Sequence, residues 1–407
     1  MILVKKFGGT SVADLNCILH VAKLIKDDVD KGKSVVAVVS AMAGFTNEMI
    51  SKITQIPNLS YSQEELSERD VVLSAGEQIS CGLLALTLES LGIKAKSWLG
   101  WQIPINTDNA YGKARIKDIQ IDKLKASFEN YSVAIVAGFQ GAHSGRITTL
   151  GRGGSDTSAV AIAGALGAKI CEIYTDVDGI YTADPNVVSK ARKLDSISYE
   201  EMLEMSSLGA KVLQIRCVEL AMKYNIKINI LSTFTQSKGT LLLSKEEIVE
   251  KNLITGITCD THEASVTLKK VPFGLLPVFE LIAKANINVD MISQNMNSEK
   301  NDITFTIQRA NVSQTKNLLK ENKDKILYDS LSIDESVAKV SIIGVGMLSH
   351  SGVAYQMFKA LNEKGINILA ITTSEIKISV LIPEDYAELA VRALHTAYGL
   401  DSSELIS

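Results

Sequence analysis

A chain of 407 residues is long enough for two or three domains with a sizeable core, and its formal net charge of -4, with a pI near 5.9, gives no global reason to expect nucleic acid or an anionic membrane as a partner. Five scattered cysteines (Cys17, Cys81, Cys171, Cys217, Cys259) lack the paired spacing of a zinc or dithiol site, and five separated histidines form no HExxH pattern, which argues against zinc hydrolysis and histidine-based triads. Reduced thiols and an N-terminal apolar run too short for a signal peptide fit a cytoplasmic protein, and no later stretch reads as an uninterrupted membrane span.

Residues 2–7, ILVKKF, read as a strand, and Gly8-Gly9-Thr10-Ser11 as a turn into a helix with Thr10 or Ser11 as its N-cap. Leu15, Ile18, Leu19, Ala22, Ile25 and Val29 then recur at the helical period, and Gly32 stops the run. Strand, glycine turn and helix resemble a phosphate-binding unit, but not a Walker A loop, since GxxxxGK[ST] is absent and the lysine precedes the glycines. Lys6 would project from the strand end toward the same cavity as the Gly8 and Gly9 amides. Val35 to Ser40 is a β-branched run suited to a parallel strand covered on both faces. At its carboxyl end, where open α/β sheets bind ligands, Ser40 and Thr46 are either substrate contacts or turn caps. Residues 47–68 are helical in part and break at Pro57. Around residues 72–80 an apolar helix carries one embedded acid, Glu77, which is either a pocket carboxylate awaiting a cation such as a ligand ammonium or an exposed acid at a helix start.

Thr148 to Ser158, TTLGRGGSDTS, is a second glycine-rich turn ahead of small apolar residues that read as a helix. Converging amides and the helix dipole make it a candidate anion cradle. Arg152 supplies a planar fork for a carboxylate or phosphate, and Asp156 a carboxylate that organises a metal, an ammonium group or a donor network. Strands at 133–136, 170–174 and 226–231 alternate with helical segments, which implies a largely parallel sheet between helices. After the second of them, Tyr174 to Pro185 gathers Asp176, Asp178, Asp184 and Tyr181 in a turn-rich loop suited to ribose, base or metal, or simply to turns. Gly209 to Val212 opens a helix-like run with Lys211 placed to neutralise phosphate.

Beyond about residue 245 two stretches of β-α-β-β-α design follow, one from Ala264 and one from Val340, at a spacing of about 79 residues judged from Asn288 and Asn367. Paired small α/β modules without a catalytic constellation suggest ligand sensing or dimerisation.

Taken together, Lys6 to Ser11, Leu73 to Glu77, Thr148 to Asp156, Tyr174 to Pro185 and Gly209 to Leu213, with the duplicated tail, resemble the monofunctional aspartate kinases of the amino-acid kinase superfamily. The resemblance spans nearly the whole chain. It implies an α/β catalytic domain over 1–245, with a largely parallel sheet flanked by helices, and two ferredoxin-like ACT regulatory domains over 246–330 and 331–407, a strand near 253–260 belonging to the second. By the resemblance Lys6 stabilises the transferring phosphoryl group and Asp156 organises the site. Arg152 grips the substrate α-carboxylate and Glu77 its α-ammonium, with Ser40, Thr46 and Ser155 in the aspartate pocket. Gly8, Gly9, Thr10, Ser11, Thr175, Asp176, Asp178, Tyr181, Asp184 and Lys211 would surround MgATP. The implied activity is ATP-dependent, Mg2+-assisted phosphorylation of the L-aspartate β-carboxylate, opening lysine, threonine and methionine biosynthesis. Lysine, threonine or both would inhibit it, with Asp290, Ser293, Gln294 and Asn295 around the effector, Asp290 being either the ligand of its ammonium or a turn aspartate, and a homodimer or homotetramer formed through the ACT domains. A catalytically silent amino-acid sensor, or a kinase for another carboxylate such as glutamate, are the alternatives. Where many relatives have arginine the chain has Asn186, Gln214-Ile215-Arg216 stands where some have His-Pro, and Phe273-Gly274-Leu275-Leu276 replaces a more usual Asp-x-Pro-Gly turn.

Overall fold

The computed structural model describes residues 2–209, 212–235, 237–248, 253–272, 274–297 and 300–402. In chain order its elements are β1 (Ile2–Phe7), α1 (Leu15–Asp30), β2 (Ser34–Val39), α2 (Phe45–Thr54), α3 (Gln63–Ser90), β3 (Ala95–Trp98), β4 (Ile105–Thr107), β5 (Ile116–Ile119), α4 (Asp122–Ser127), β6 (Val133–Ala137), β7 (Gln140–His143), β8 (Arg146–Thr149), α5 (Gly154–Leu166), β9 (Ile170–Thr175), β10 (Ser196–Ser198), α6 (Tyr199–Ser207), α7 (Ile215–Tyr224), β11 (Lys227–Ser232) and β12 (Thr240–Leu243). There follow β13 (Gly256–Asp260), β14 (Glu263–Val271), α8 (Leu276–Lys284), β15 (Val289–Asn297), β16 (Lys300–Gln308), α9 (Val312–Glu321), α10 (Lys323–Ile326), β17 (Ser330–Asp334), β18 (Val337–Ile343), α11 (Val353–Glu363), β19 (Ala370–Thr373), β20 (Lys377–Pro383) and α12 (Ala387–Ala397).

Two compact units emerge, and neither is continuous in sequence. The first comprises Met1–Ile180, Lys193–Ser206 and Lys211–Val249; the second comprises Tyr181–Arg192, Ser207–Ala210 and Glu250–Ser407. The first is built on an eight-stranded sheet of order β10-β12-β11-β9-β1-β2-β6-β3. Six consecutive strands, β11, β9, β1, β2, β6 and the edge strand β3, run parallel, and β12 returns antiparallel to β11. Val35 to Val39 and Val133 to Ala137 are buried throughout, as β-branched runs covered by helices on both faces should be. A separate four-stranded sheet, β5-β4-β7-β8, was not anticipated from the pattern; its strands are short and mostly lack apolar alternation.

Three expectations need correction. The cap of α1 is Asp14, whose Oδ1 accepts from the Cys17 amide at 2.8 Å. Thr10 and Ser11 instead form a 3-10 turn, and the Ser11 hydroxyl lies 2.6 Å from that of Thr233. Near residue 211 the helix begins only at Ile215, while Ala210 and Lys211 lie outside the described residues. Finally, α3 is long and apolar enough, by length and composition, to cross a membrane. It nevertheless carries the buried acids Asp70 and Glu77, and its Cys81, Leu84 and Leu88 join the core formed with α1 and β2.

The second unit holds two antiparallel sheets of order β15-β16-β14-β17 and β13-β18-β20-β19. Two β-α-β-β-α modules are visible, β14-α8-β15-β16-α9 and β18-α11-β19-β20-α12, each the two-layer arrangement of a ferredoxin-like fold. Each sheet also takes a strand from beyond its own module: β13, which precedes the first module, pairs with β18, and β17, which directly precedes the second, pairs with β14. An ion cluster centred on a buried lysine reinforces the exchange. Lys339 on β18 is 3% exposed and pairs with Glu263 at 3.2 Å and with Asp290. Burial alone would lower the Lys339 pKa, but the two carboxylates outweigh it and hold the ammonium above its usual value.

The segment Tyr181–Arg192 belongs to this second unit. Ala183 and Val188 enter a core with Ile257, Met357 and Leu394, and Thr182 Oγ1 lies 2.9 Å from His395 Nε2. His395 Nδ1 is 2.8 Å from Asp401 Oδ1, and Arg192 Nε donates to the Leu400 carbonyl at 2.8 Å.

Candidate active site

The carboxyl ends of the parallel strands in the first unit share one edge, because Phe7 is in register with both Val39 and Tyr174, Val39 with Ala137, and Ser232 with Thr175. Ligands of open α/β sheets gather at such an edge. Successive side chains on β1 take opposite faces, and the two lysines divide accordingly. Lys5 pairs with Asp28 and, at 3.0 Å, with Glu172, and donates to the Tyr174 hydroxyl at 3.3 Å. Lys6 pairs with Asp156 at 2.6 Å, on the first turn of α5. Both partners are buried, Lys6 at 8% and Asp156 at 7% exposure, so a cation and an anion are fixed beside the two glycine turns.

Of those turns, the first differs from expectation in one bond. The Gly8 amide donates to the Tyr174 carbonyl at 3.0 Å, so it ties β1 to β9. The Tyr174 ring stacks on Phe7 with centroids 4.9 Å apart, and its hydroxyl pKa is pushed up to about 12 by burial and by neighbouring Glu172. In the second turn Gly151 and Gly153 both adopt left-handed φ, +80° and +69°, on either side of Arg152. A Cβ on Gly153 would come within 1.7 Å of Gln214 Cγ, so no other residue fits there without displacing α7's cap. Arg152 is exposed and makes no hydrogen bond or ion pair with another described residue. Ser155, buried at the start of α5, packs against Gly138 at the end of β6.

Glu77 is brought to the same edge by close packing of α3 on the loop after β2. A Cβ on Gly76 would lie 2.6 Å from that of Ala41 and 2.5 Å from the Phe45 ring. Ser40 and Thr46 flank this loop and are both partly buried. The Glu77 carboxylate is 4% exposed, and its Oε2 has no hydrogen-bond partner among the described residues. Burial pushes its pKa up to about 7, against the pull of the backbone amides of Ala41 and Glu77. The sequence left Glu77 open between pocket and surface; it is in the interior.

Two charged side chains that the sequence analysis did not single out as functional hold the loops around Arg152. Asp70, two helical turns before Glu77 on α3, accepts from the Thr149 amide at 2.7 Å, the Thr149 hydroxyl at 2.7 Å and the Gly112 amide at 3.0 Å. Arg216 donates to the Leu150 carbonyl at 2.6 Å and the Ala114 carbonyl at 2.8 Å. A signal for Asp70 existed: it is an acid seven residues from Glu77 on the same helix face.

The nucleotide candidates are divided between the two units. Thr175 donates to Asp176 at 3.0 Å, and Asp178 binds Lys193 at 3.0 Å and the Ser237 hydroxyl at 3.2 Å, all within the first unit. Tyr181 and Asp184 belong to the second unit, where Asp184 accepts from the Asn186 amide and side chain, both at 2.9 Å. Asp290, the effector candidate, is engaged by Lys339, while Ser293, Gln294 and Asn295 lie on β15 at the edge of their sheet. Phe273 lies outside the described residues. Among the described residues no group of three His, Cys, Asp or Glu side chains is arranged to hold a metal ion.

Residues 1–232 match the amino acid kinase family and residues 340–398 an ACT domain. The aspartate kinase of Pseudomonas fluorescens (strain SBW25) is 48% identical over 98% of either chain. The chain belongs to the aspartate kinase family. By that membership it is an enzyme, an aspartate kinase with an ACT region. Its fold is similar to E. coli aspartokinase III in complex with aspartate and ADP in the R state, with TM-score 0.79, 27% identity and coverage of 98% of this chain and 99% of that one. The same E. coli enzyme in complex with lysine and aspartate in the T state gives TM-score 0.74 at 28% identity, covering 97% and 99% of the two chains.

Proposed function

We propose that the chain transfers the γ-phosphoryl group of ATP to the β-carboxylate of L-aspartate, giving 4-phospho-L-aspartate. The observation that carries this reading is the buried Glu77 carboxylate, whose unpartnered oxygen at the sheet edge suits the α-ammonium of an amino acid. Arg152 grips the α-carboxylate with its fork. Ser40, Thr46 and Ser155 line the remainder of the pocket. The β-carboxylate is already ionised near neutral pH, so no strong general base is needed. The difficulty is to bring one anion to another, and Lys6 answers it by placing its ammonium where charge develops on the transferring group. Asp156 fixes that ammonium until the phosphates arrive. The nucleotide lies along Gly8 to Ser11 and Thr175 to Asp178, with Tyr181, Asp184 and Lys211 contributing. Mg2+, which commonly binds through phosphates and one or two carboxylates, would neutralise phosphate charge there.

Residues 1–245 form the catalytic domain in this reading, with the Tyr181–Arg192 segment associated with two ACT regulatory domains over 246–330 and 331–407. The T-state complex of the E. coli relative with lysine and aspartate supports the reading that lysine inhibits this chain, with threonine, or both, the alternative. An effector at Asp290, Ser293, Gln294 and Asn295 shifts activity only through unequal affinity for two states. Asp290 is bound to Lys339, so an effector ammonium shares or displaces that bond. ACT pairing between chains gives a homodimer or homotetramer, and the product enters lysine, threonine and methionine biosynthesis.

The test is hydroxylamine trapping of the acyl phosphate with MgATP and L-aspartate, repeated with glutamate and with added lysine or threonine. Aspartyl hydroxamate that forms, and diminishes with either effector, is the expected result. Absence of hydroxamate from folded protein would favour the silent sensor, and equal turnover of glutamate would reassign the substrate. Asp290→Ala is expected to raise the inhibitory effector concentration by about tenfold or more, in keeping with loss of one charge-assisted contact; unchanged inhibition would remove Asp290 from the effector site.

A further inference from the structure

The loop that carries Arg152 is a poor support for a specific contact, because Gly151 and Gly153 flank it in left-handed conformations and Arg152 itself is exposed. A freely moving arginine gains little from a carboxylate once its ordering cost is met. Yet the backbone just before it is held from two sides. Asp70 collects three donors, the Thr149 amide and hydroxyl at 2.7 Å each and the Gly112 amide at 3.0 Å. Asp70 is fully buried, and burial raises its pKa against the pull of those donors.

Arg216 acts from the other side. Its two terminal nitrogens donate to the carbonyls of Leu150, at 2.6 Å, and of Ala114, at 2.8 Å. The two strapped segments are also tied directly, since the Ala114 amide donates to the Thr149 carbonyl at 2.9 Å. Burial lowers the Arg216 pKa, and Arg115 adds to the effect, so the guanidinium is kept in an unfavourable setting with its donors committed to carbonyls. Gln214, two residues earlier, occupies the space that a Cβ on Gly153 would need.

We infer that Arg216, with Asp70 opposite, is a positioning residue for substrate recognition: it fixes the 149–153 loop so that Arg152 meets the α-carboxylate of the amino-acid substrate with its ordering cost already met. The inference rests on the reading of Arg152 as that carboxylate's partner. Arg216 itself touches no substrate in this scheme, and its effect passes entirely through Arg152. The Gln214-Ile215-Arg216 departure thereby acquires a role, since a planar arginine fork holds two carbonyls in a fixed geometry.

The experiment is a double-mutant cycle on the full chain, reading kcat and KM for aspartate and for ATP, with thermal unfolding in parallel. Arg216→Gln should raise the aspartate KM by about tenfold to thirtyfold, with kcat and the ATP KM within about threefold. Added to Arg152→Ala, the same change should have almost no further effect on the aspartate KM. Multiplying effects in the double variant, or parallel loss of kcat and both KM values, would overturn the positioning role in favour of a general structural one. An aspartate KM unchanged by Arg152→Ala would instead overturn the reading on which the inference rests. Should Arg216→Gln fail to fold, Arg216→Lys serves: an intermediate rise in aspartate KM supports the inference, and a KM equal to that of the parent chain refutes it.

Discussion

Replacing Lys6 by methionine is expected to lower kcat by about 10³-fold, the scale on which a donor aimed at developing charge acts in a water-poor site. The same change should destabilise the protein by about 3 kcal/mol, because Asp156, 2.6 Å away and only 7% exposed, is left as a buried carboxylate without its counter-ion. The two losses have different causes and so can be separated. Adding Asp156→Asn removes the stranded charge, and the double variant should regain most of the melting temperature while remaining inactive. Recovery of turnover together with stability would mean that Lys6 serves the fold alone.

Glu77→Gln should do the opposite to stability. The Glu77 carboxyl has a pKa of about 7 in the fold against an ordinary 4.5. Between those values the folded state holds a proton that the unfolded chain has lost, so stability falls as pH rises through this window and does not return above it. The difference corresponds to about 3 kcal/mol at pH 8, and the neutral amide escapes it. Thermal unfolding at pH 8 should therefore occur at a higher temperature in Glu77→Gln, with the gain vanishing toward pH 4.5. Function should suffer in return: an α-ammonium that loses a buried carboxylate raises the aspartate KM by about 10²-fold. In the parent chain kcat/KM for aspartate should drop about tenfold per pH unit below 7 and level off above it, since this ratio reports the free enzyme. A flat profile between pH 5 and 8 would place the ammonium elsewhere.

Much of the site was legible because its chemistry is local. Lys6 with the glycines behind it, and Gly151 to Asp156 opening α5, are contiguous strings whose backbone demands are written in residue type. What could not be read was pairing across the chain. Nothing near Asp70 announces Thr149 and Gly112, and nothing near Arg216 announces Leu150 and Ala114. The cap of α1 was misread for a smaller reason: the chain makes a 3-10 turn before the helix, which moves the capping role to Asp14. Sheet membership of β17 was beyond periodicity, since a strand pattern identifies a strand without naming its neighbour, whereas the placement of β13 with the second module came from the family resemblance.

The Tyr181–Arg192 excursion bears on how such a chain can be divided. A gene cut after residue 245 would keep that segment but discard Ile257, Met357 and Leu394, which shelter Ala183 and Val188, and the His395 that meets the Thr182 hydroxyl. A division after residue 245 thus cuts through a packed core: the shortened product would present bare apolar side chains and a stranded loop, and exchanging regulatory halves between relatives requires the excursion to travel with the tail it packs on.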